Sequence, residues 1–128
     1  MSVTWSIQNG ILAVTVAGDC IFGDVAQALA EGFADRGYAP QMPVLIDARL
    51  STANPSSEAI HTAGRNLAQT NPQSGTSRWA IVSGEGAHQF GIARMASLTL
   101  ETFGFHMEVF RDLEEAVRWL TQGRATHG

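Results

Sequence analysis

The stretch Pro43-Val44-Leu45-Ile46-Asp47-Ala48-Arg49 decides the fold. Val44-Leu45-Ile46 is a short apolar run without alternation, which is what a strand needs when both of its faces are covered. The run is expected to end at Asp47. Trp79 to Val82 repeats the pattern further on. Between the two, Ile60, Ala63, Gly64 and Leu67 recur at helical spacing after a polar loop, Ser51 to Ser56. Two buried strands joined through a helix call for parallel pairing with a right-handed crossover.

Working outward, Val3, Trp5 and Ile7 alternate with polar residues, and Ile11 to Ala17 resumes a strand pattern after Asn9-Gly10. Asn-Gly between two such runs predicts a hairpin, because both residues tolerate the positive φ of a type I′ turn. Asp24 is placed to cap a helix with Val25, Leu29, Gly32 and Phe33 on one face, ending near Asp35 to Gly37. Asn71 to Ser77 reads as a turn cluster. Ser83-Gly84-Glu85-Gly86 breaks the chain before a long helix from about Ala87 to Thr102. Phe105, Met107 and Val109 then alternate as a half-buried edge strand. Asp112 and Glu115 have the spacing of a capping box for a last helix that buries Leu113, Ala116, Val117 and Leu120. Residues Gly123 to Gly128 are expected to fray. The order is ββαβαβαβα: an α/β fold, one domain over residues 1–128, with a mainly parallel sheet of about five strands and four helices.

Composition fits one folded domain. The chain has 128 residues, 45% hydrophobic and 16% charged, with net charge −4. Every basic residue is arginine, spread singly from Arg36 to Arg124, so no basic stripe exists to track a phosphate backbone and nucleic acid is not an expected partner. No apolar run approaches the ~20 residues that span a bilayer. Cys20 is the only cysteine, excluding an internal disulfide and a cysteine zinc cage, and it suits a reducing cytoplasm.

Three segments carry a family resemblance: Pro43 to Arg49, Phe90-Gly91-Ile92-Ala93-Arg94-Met95, and Val109-Phe110-Arg111-Asp112-Leu113-Glu114-Glu115-Ala116. With the strand order, they resemble the STAS domains, and among them the small stand-alone SpoIIAA-like bacterial proteins. The resemblance implies a cytoplasmic module that binds a protein partner, a nucleotide or a lipid-like molecule, in a superfamily that includes lipid-exchange domains of the CRAL-TRIO type. Partner-switching antagonists of this kind carry a phosphorylatable serine in Asp-Ser-Ser-Gly at the end of the third strand. Here Asp47 matches, but Ala48, Arg49 and Leu50 replace the rest, so that mode of control is not carried over.

In open parallel sheets, ligands gather beyond the carboxyl ends of the strands. That rule places Asp47 and Arg49 beside Ser83, Gly84 and Gly86, where the N-terminus of the long helix and the Arg49 fork could receive an anion. Against this stands Glu85, which would repel one, and the plainer reading in which Asp47 caps the loop and Arg49 is solvated. On the long helix, Phe90, Arg94 and Leu98 share one side while Ile92, Ala96 and Phe103 share the opposite one, so one side covers the sheet and the other lines a cavity or meets a partner.

Other chemistry is absent from the pattern. Gly84 and Gly86 begin a dinucleotide fingerprint that Gln89 fails to complete. Ile81 stands where a Gly-x-Ser-x-Gly elbow around Ser83 needs glycine. Glu58 with His61, and Glu85 with His88, are separate pairs with too few converging ligands for a metal. The chain therefore reads as a non-catalytic regulatory or ligand-binding module with no cofactor. The alternative is a carrier of a small apolar or lipid-like molecule held between the long helix and the sheet. A homodimer is expected, through the edge strand or the long helix.

Overall fold

The computed structural model describes residues 2–70 and 77–125. Strands β1 (Ser2–Gln8), β2 (Ile11–Gly18), β3 (Val44–Ser51), β4 (Arg78–Ser83) and β5 (His106–Phe110) alternate with helices α1 (Phe22–Phe33), α2 (Ser57–Thr70), α3 (Ala87–Glu101) and α4 (Leu113–Ala125). The sheet order is β1-β2-β3-β4-β5. β1 is antiparallel to β2, and every later pair is parallel.

The hairpin forms as expected. Asn9 and Gly10 both have positive φ, 54° and 76°, and Gln8 sits opposite Ile11. The continuous apolar runs are explained by two separate cores. From β3, Val44 and Ile46 enter the core beneath α1, α2 and α3, while Leu45 enters the one beneath α4. β4 does the same, with Trp79 and Ile81 on the first side and Ala80 and Val82 on the second. Each fully buried aliphatic side chain contributes roughly 1.5–3 kcal/mol, so these central strands hold both layers to the sheet.

Coverage of the two faces is unequal. α4 packs mainly on β3, β4 and β5, and Ile11 at the start of β2 also enters the core beneath it. On the same side of β1 and β2, Ser2, Thr4, Gln8 and Thr15 are exposed. Their polarity is the sequence's answer to that exposure.

Several boundaries differ from expectation. α1 begins at Phe22, so Asp24 lies in the first turn and makes no side-chain cap bond. Its carboxylate still faces the positive helix end. The helix stops at Phe33, before Asp35. β3 does not end at Asp47 but continues to Ser51. The carboxylate is neutralised within the strand by Arg49, which lets pairing go on. At α4, Asp112 Oδ1 accepts from the Glu114 N–H at 3.1 Å, so the cap is made two residues on. α4 runs through Ala125, past the Gly123 at which fraying was expected. Of the turn expected over Asn71 to Ser77, residues 71–76 lie outside the described residues, as does the tail at 126–128.

Candidate functional site

The carboxyl ends of β3 and β4 meet as expected, with Ala48 beside Ser83 in register. The side chains, however, part to opposite faces of the sheet. Ser83 is buried with Ala48 and Ile81 on the side of α1, α2 and α3, and donates to the Gly84 carbonyl at 3.1 Å. Asp47 has the strand parity of Leu45 and so belongs to the α4 side. Sequence spacing brought these residues to one end of the sheet but could not assign the two faces to different neighbours.

Asp47 and Arg49 form a closed unit. The Arg49 Nε donates to Asp47 Oδ1 at 2.9 Å and Nη2 to Oδ2 at 2.8 Å, while the Arg49 backbone N–H adds a third bond at 3.2 Å. The fork expected to grip an incoming anion at the α3 N-terminus is already filled by a carboxylate of its own strand. Burial raises the Asp47 pKa, but the hydrogen bonds and charge of Arg49 outweigh it and hold the carboxyl below its ordinary value. Arg49 is raised in turn, first by its hydrogen bond to Asp47, with Asp112 adding a further favourable charge.

This pair sits on a β-bulge. Thr15 pairs with Asp47 and Ala17 with Leu50, so β3 carries one residue more than β2 across this span. The extra residue reverses the alternation beyond it. Leu50 follows Ala17 to the open face and is 70% exposed. Ser51 turns inward to the cavity side, where its hydroxyl accepts from the Ala53 N–H at 3.2 Å. Ile21, at the start of α1, is 68% exposed at the same end of the sheet.

Gly84 sits close against the β3 backbone. A Cβ there would meet the Arg49 carbonyl oxygen at 3.0 Å. Gly86 is the N-cap of α3 with extended backbone, and a Cβ there would meet nothing within 4 Å. Its role as an anion cradle receives no support from Arg49.

The two-sided reading of α3 is corrected. The helix buries Ala93, Ala96, Ser97 and Leu100, a single face. Arg94 is exposed and Leu98 is 55% exposed. Phe90 does find a partner, the Arg111 guanidinium 4.1 Å above its ring. Of the two roles expected for the side carrying Phe90, Arg94 and Leu98, the pocket wall is not found, since Arg94 and Leu98 face outward.

A cavity does lie between the sheet and α1, α2 and α3, with Cys20, Leu29, Ile60, Trp79 and Ile92 among its largely apolar lining. Its volume is about 70 Å³. At its carboxyl-end mouth, Gln89 donates to the Ala53 carbonyl at 3.2 Å, and the His88 Nε2 and Asn54 Oδ1 are 3.2 Å apart. These contacts tie the β3–α2 loop to the start of α3. Cys20 is buried there, its thiol donating to the Ala17 carbonyl at 3.3 Å. Among the described residues, no group of three or more His, Cys, Asp or Glu could hold a metal ion, and no helix is long and apolar enough to cross a membrane.

Sequence reasoning missed Leu50, Ile21, Arg111 and Asp112 as members of this rim. Leu50 had a signal, an isolated leucine between polar residues beyond a buried strand. The bulge that turns it outward had none.

No family model matches the chain, and no curated protein does. A solved structure is similar: the crystal structure of an uncharacterised protein of the DUF3478 family, with a SpoIIAA-like fold, from Shewanella loihica PV-4. It matches with a TM-score of 0.60 over 93% of this chain and 92% of that one, at 22% identity. The likeness is one of fold, and the SpoIIAA-like α/β architecture expected from the sequence is the one found.

Proposed function

We propose that this SpoIIAA-like module is non-catalytic and works by binding a protein partner at the carboxyl end of β3, with Leu50 as the apolar anchor and Arg49 as the oriented charge. The observation that carries the reading is Leu50, 70% exposed on the bulge beside an arginine whose fork is fixed by Asp47. Arginine is enriched among the residues that carry binding energy at protein interfaces, an exposed leucine gains by leaving water, and a side chain already held in place loses less entropy on association. Arg49 keeps 47% of its side-chain surface exposed while paired, so it offers a contact surface without giving up Asp47.

The carrier reading is less well supported. Ligand pockets for drug-sized molecules occupy roughly 300–1,000 Å³, and the cavity beneath the helices is about 70 Å³. Native mass spectrometry of gently purified protein is expected to release no stoichiometric small molecule. A bound amphiphile would move the function to that cavity.

The test compares wild type with Leu50→Asp and Arg49→Ala in affinity capture from the native cytoplasm. A protein retained by the wild type and lost from both variants is the expected result. Equal retention by all three would remove this surface from the function. Leu50 is exposed, so Leu50→Asp should keep its unfolding free energy within about 0.5 kcal/mol of wild type, and Arg49→Ala should cost no more than about 1 kcal/mol, as for a solvent-screened pair.

Asp47→Asn is expected to cost less than about 1 kcal/mol, because Arg49 is half exposed and solvent screens the pair. The pH dependence has a definite sign. The folded carboxyl titrates below its unfolded value, so its contribution is present above about pH 4 and is lost as pH falls through the folded pKa. Acid unfolding of Asp47→Asn should therefore lack a small part of the wild-type loss in that window.

A further inference from the structure

We propose that the β1 edge is a self-complementary interface, through which two copies join antiparallel about a two-fold axis at Trp5 into one continuous sheet. The proposal is independent of the partner surface on β3.

The argument starts from the hydrogen-bond phase of the hairpin. With a two-residue turn, Gln8 and Ile11 are a mutually bonded pair, and the pattern alternates from there. Ser2, Thr4, Ser6 and Gln8 thus spend their backbone groups on β2. The Leu12 N–H confirms the phase, since it turns away from β1 and donates to the Pro43 carbonyl at 3.0 Å. Val3, Trp5 and Ile7 accordingly aim their N–H and C=O groups outward, at an edge where β1, among the described residues, pairs with β2 alone. A groove of about 320 Å³ beside this edge, between β1 and α1, includes Val3 and Trp5 in its lining.

Exposed edges in monomers are blunted by charge, proline, bulges or brevity. β1 reads SVTWSIQ, seven residues with no charge and no proline, and its register with β2 is unbroken. β5, the other edge and the one expected from sequence to self-associate, has five residues and an exposed Glu108. Blunting is present at that edge and missing at this one.

A second copy fits the outward groups in register. Centred on Trp5, the pairs Val3 with Ile7, Trp5 with Trp5 and Ile7 with Val3 each exchange two bonds, about six in all, and no outward group of the three residues is left over. Val3, Trp5 and Ile7 are only partly buried in the single chain, so the same pairing would cover apolar surface. The Trp5 indole keeps its bond to Glu31 at 3.1 Å, because that contact belongs to the α1 side. A foreign strand would need the same outward spacing without gaining the symmetry, so the second copy is favoured.

The test is sedimentation equilibrium at tens of micromolar chain. Wild type is expected at twice the chain mass. Val3→Pro removes one outward donor at an edge that tolerates proline, and Val3→Lys adds a blunting charge. Both should sediment as folded monomers by circular dichroism, while Leu98→Lys on α3 should remain dimeric. Register is read separately. Thr4 and Ser6 of opposite chains form a non-bonded pair with Cα atoms about 4.5 Å apart, within disulfide reach. Mild oxidation of mixed Thr4→Cys and Ser6→Cys chains should cross-link the heterodimer and neither variant alone. Monomeric wild type overturns the proposal. So does dimerisation that survives both Val3 variants, or cross-linking confined to one variant alone.

Discussion

Trp79→Ala is expected to lose about 3–5 kcal/mol of stability, the range for removing a large aromatic from a packed core. Trp79 has no exposed surface and lies in the central strand β4. Its ring meets Phe105 edge-on at 4.9 Å between centroids and Phe33 at 6.1 Å, so the substitution severs β4 from both α1 and the segment entering β5. The site also borders the existing cavity, and the vacated volume would merge with it rather than collapse. Domains of this size have only about 5–15 kcal/mol in total. Urea unfolding should show a much lower midpoint, and an unchanged m-value would tie the loss to the native core. A loss below about 1 kcal/mol would mean that α1 and α3 close over the gap. Trp79→Phe should recover part of the loss by keeping the ring contact with Phe105.

The fold was legible because each central strand wrote its environment plainly. Val44-Leu45-Ile46 and Trp79 to Val82 are apolar at every position because they face two cores. The hairpin was legible from two residues, since little besides Asn-Gly accepts two positive φ angles in succession. The candidate site was harder. Sequence order placed Asp47, Arg49, Ser83 and Gly84 at one end of the sheet, which is where they lie. It could not tell that Arg49 would turn back onto Asp47 rather than reach toward α3, because an i, i+2 pair on one strand face competes with every more distant partner. The bulge after Asp47 was invisible for a similar reason. Nothing in Ala48-Arg49-Leu50 marks the point at which β3 gains a residue on β2, yet that gain turns Leu50 outward. Long-helix periodicity also misled. Phe90, Arg94 and Leu98 fall on one side by spacing, but small Ala93 and Ala96 are what let α3 approach the sheet, and the larger side chains were left at the flank.

Two glycine-to-alanine substitutions in helices should change stability in opposite directions, and the difference isolates packing from propensity. Alanine in a helix interior is favoured over glycine by roughly 0.8–1 kcal/mol. Gly91 in α3 is exposed, and a Cβ there would meet nothing within 4 Å, so Gly91→Ala should gain close to that amount, a rise of about 3–5 °C in Tm for a domain of this length. Gly32 in α1 is buried, and its Cβ would lie 2.6 Å from Leu12 Cδ1 and 3.0 Å from Cδ2. Leu12 itself is fully buried in β2, so its methyls cannot move to solvent. They must force α1 off the sheet or adopt a poor rotamer, at a cost of about 1–3 kcal/mol. This cost exceeds the propensity gain at most of its range, and Gly32→Ala should melt below wild type. The pairing Gly32→Ala with Leu12→Val gives the decisive check, since shortening Leu12 removes the methyls in the way. The double variant should be more stable than the sum of the two single losses predicts, by on the order of 0.5–3 kcal/mol. Strict additivity would mean that the helix backbone absorbs the contact and that the close approach of α1 to β2 does not depend on glycine.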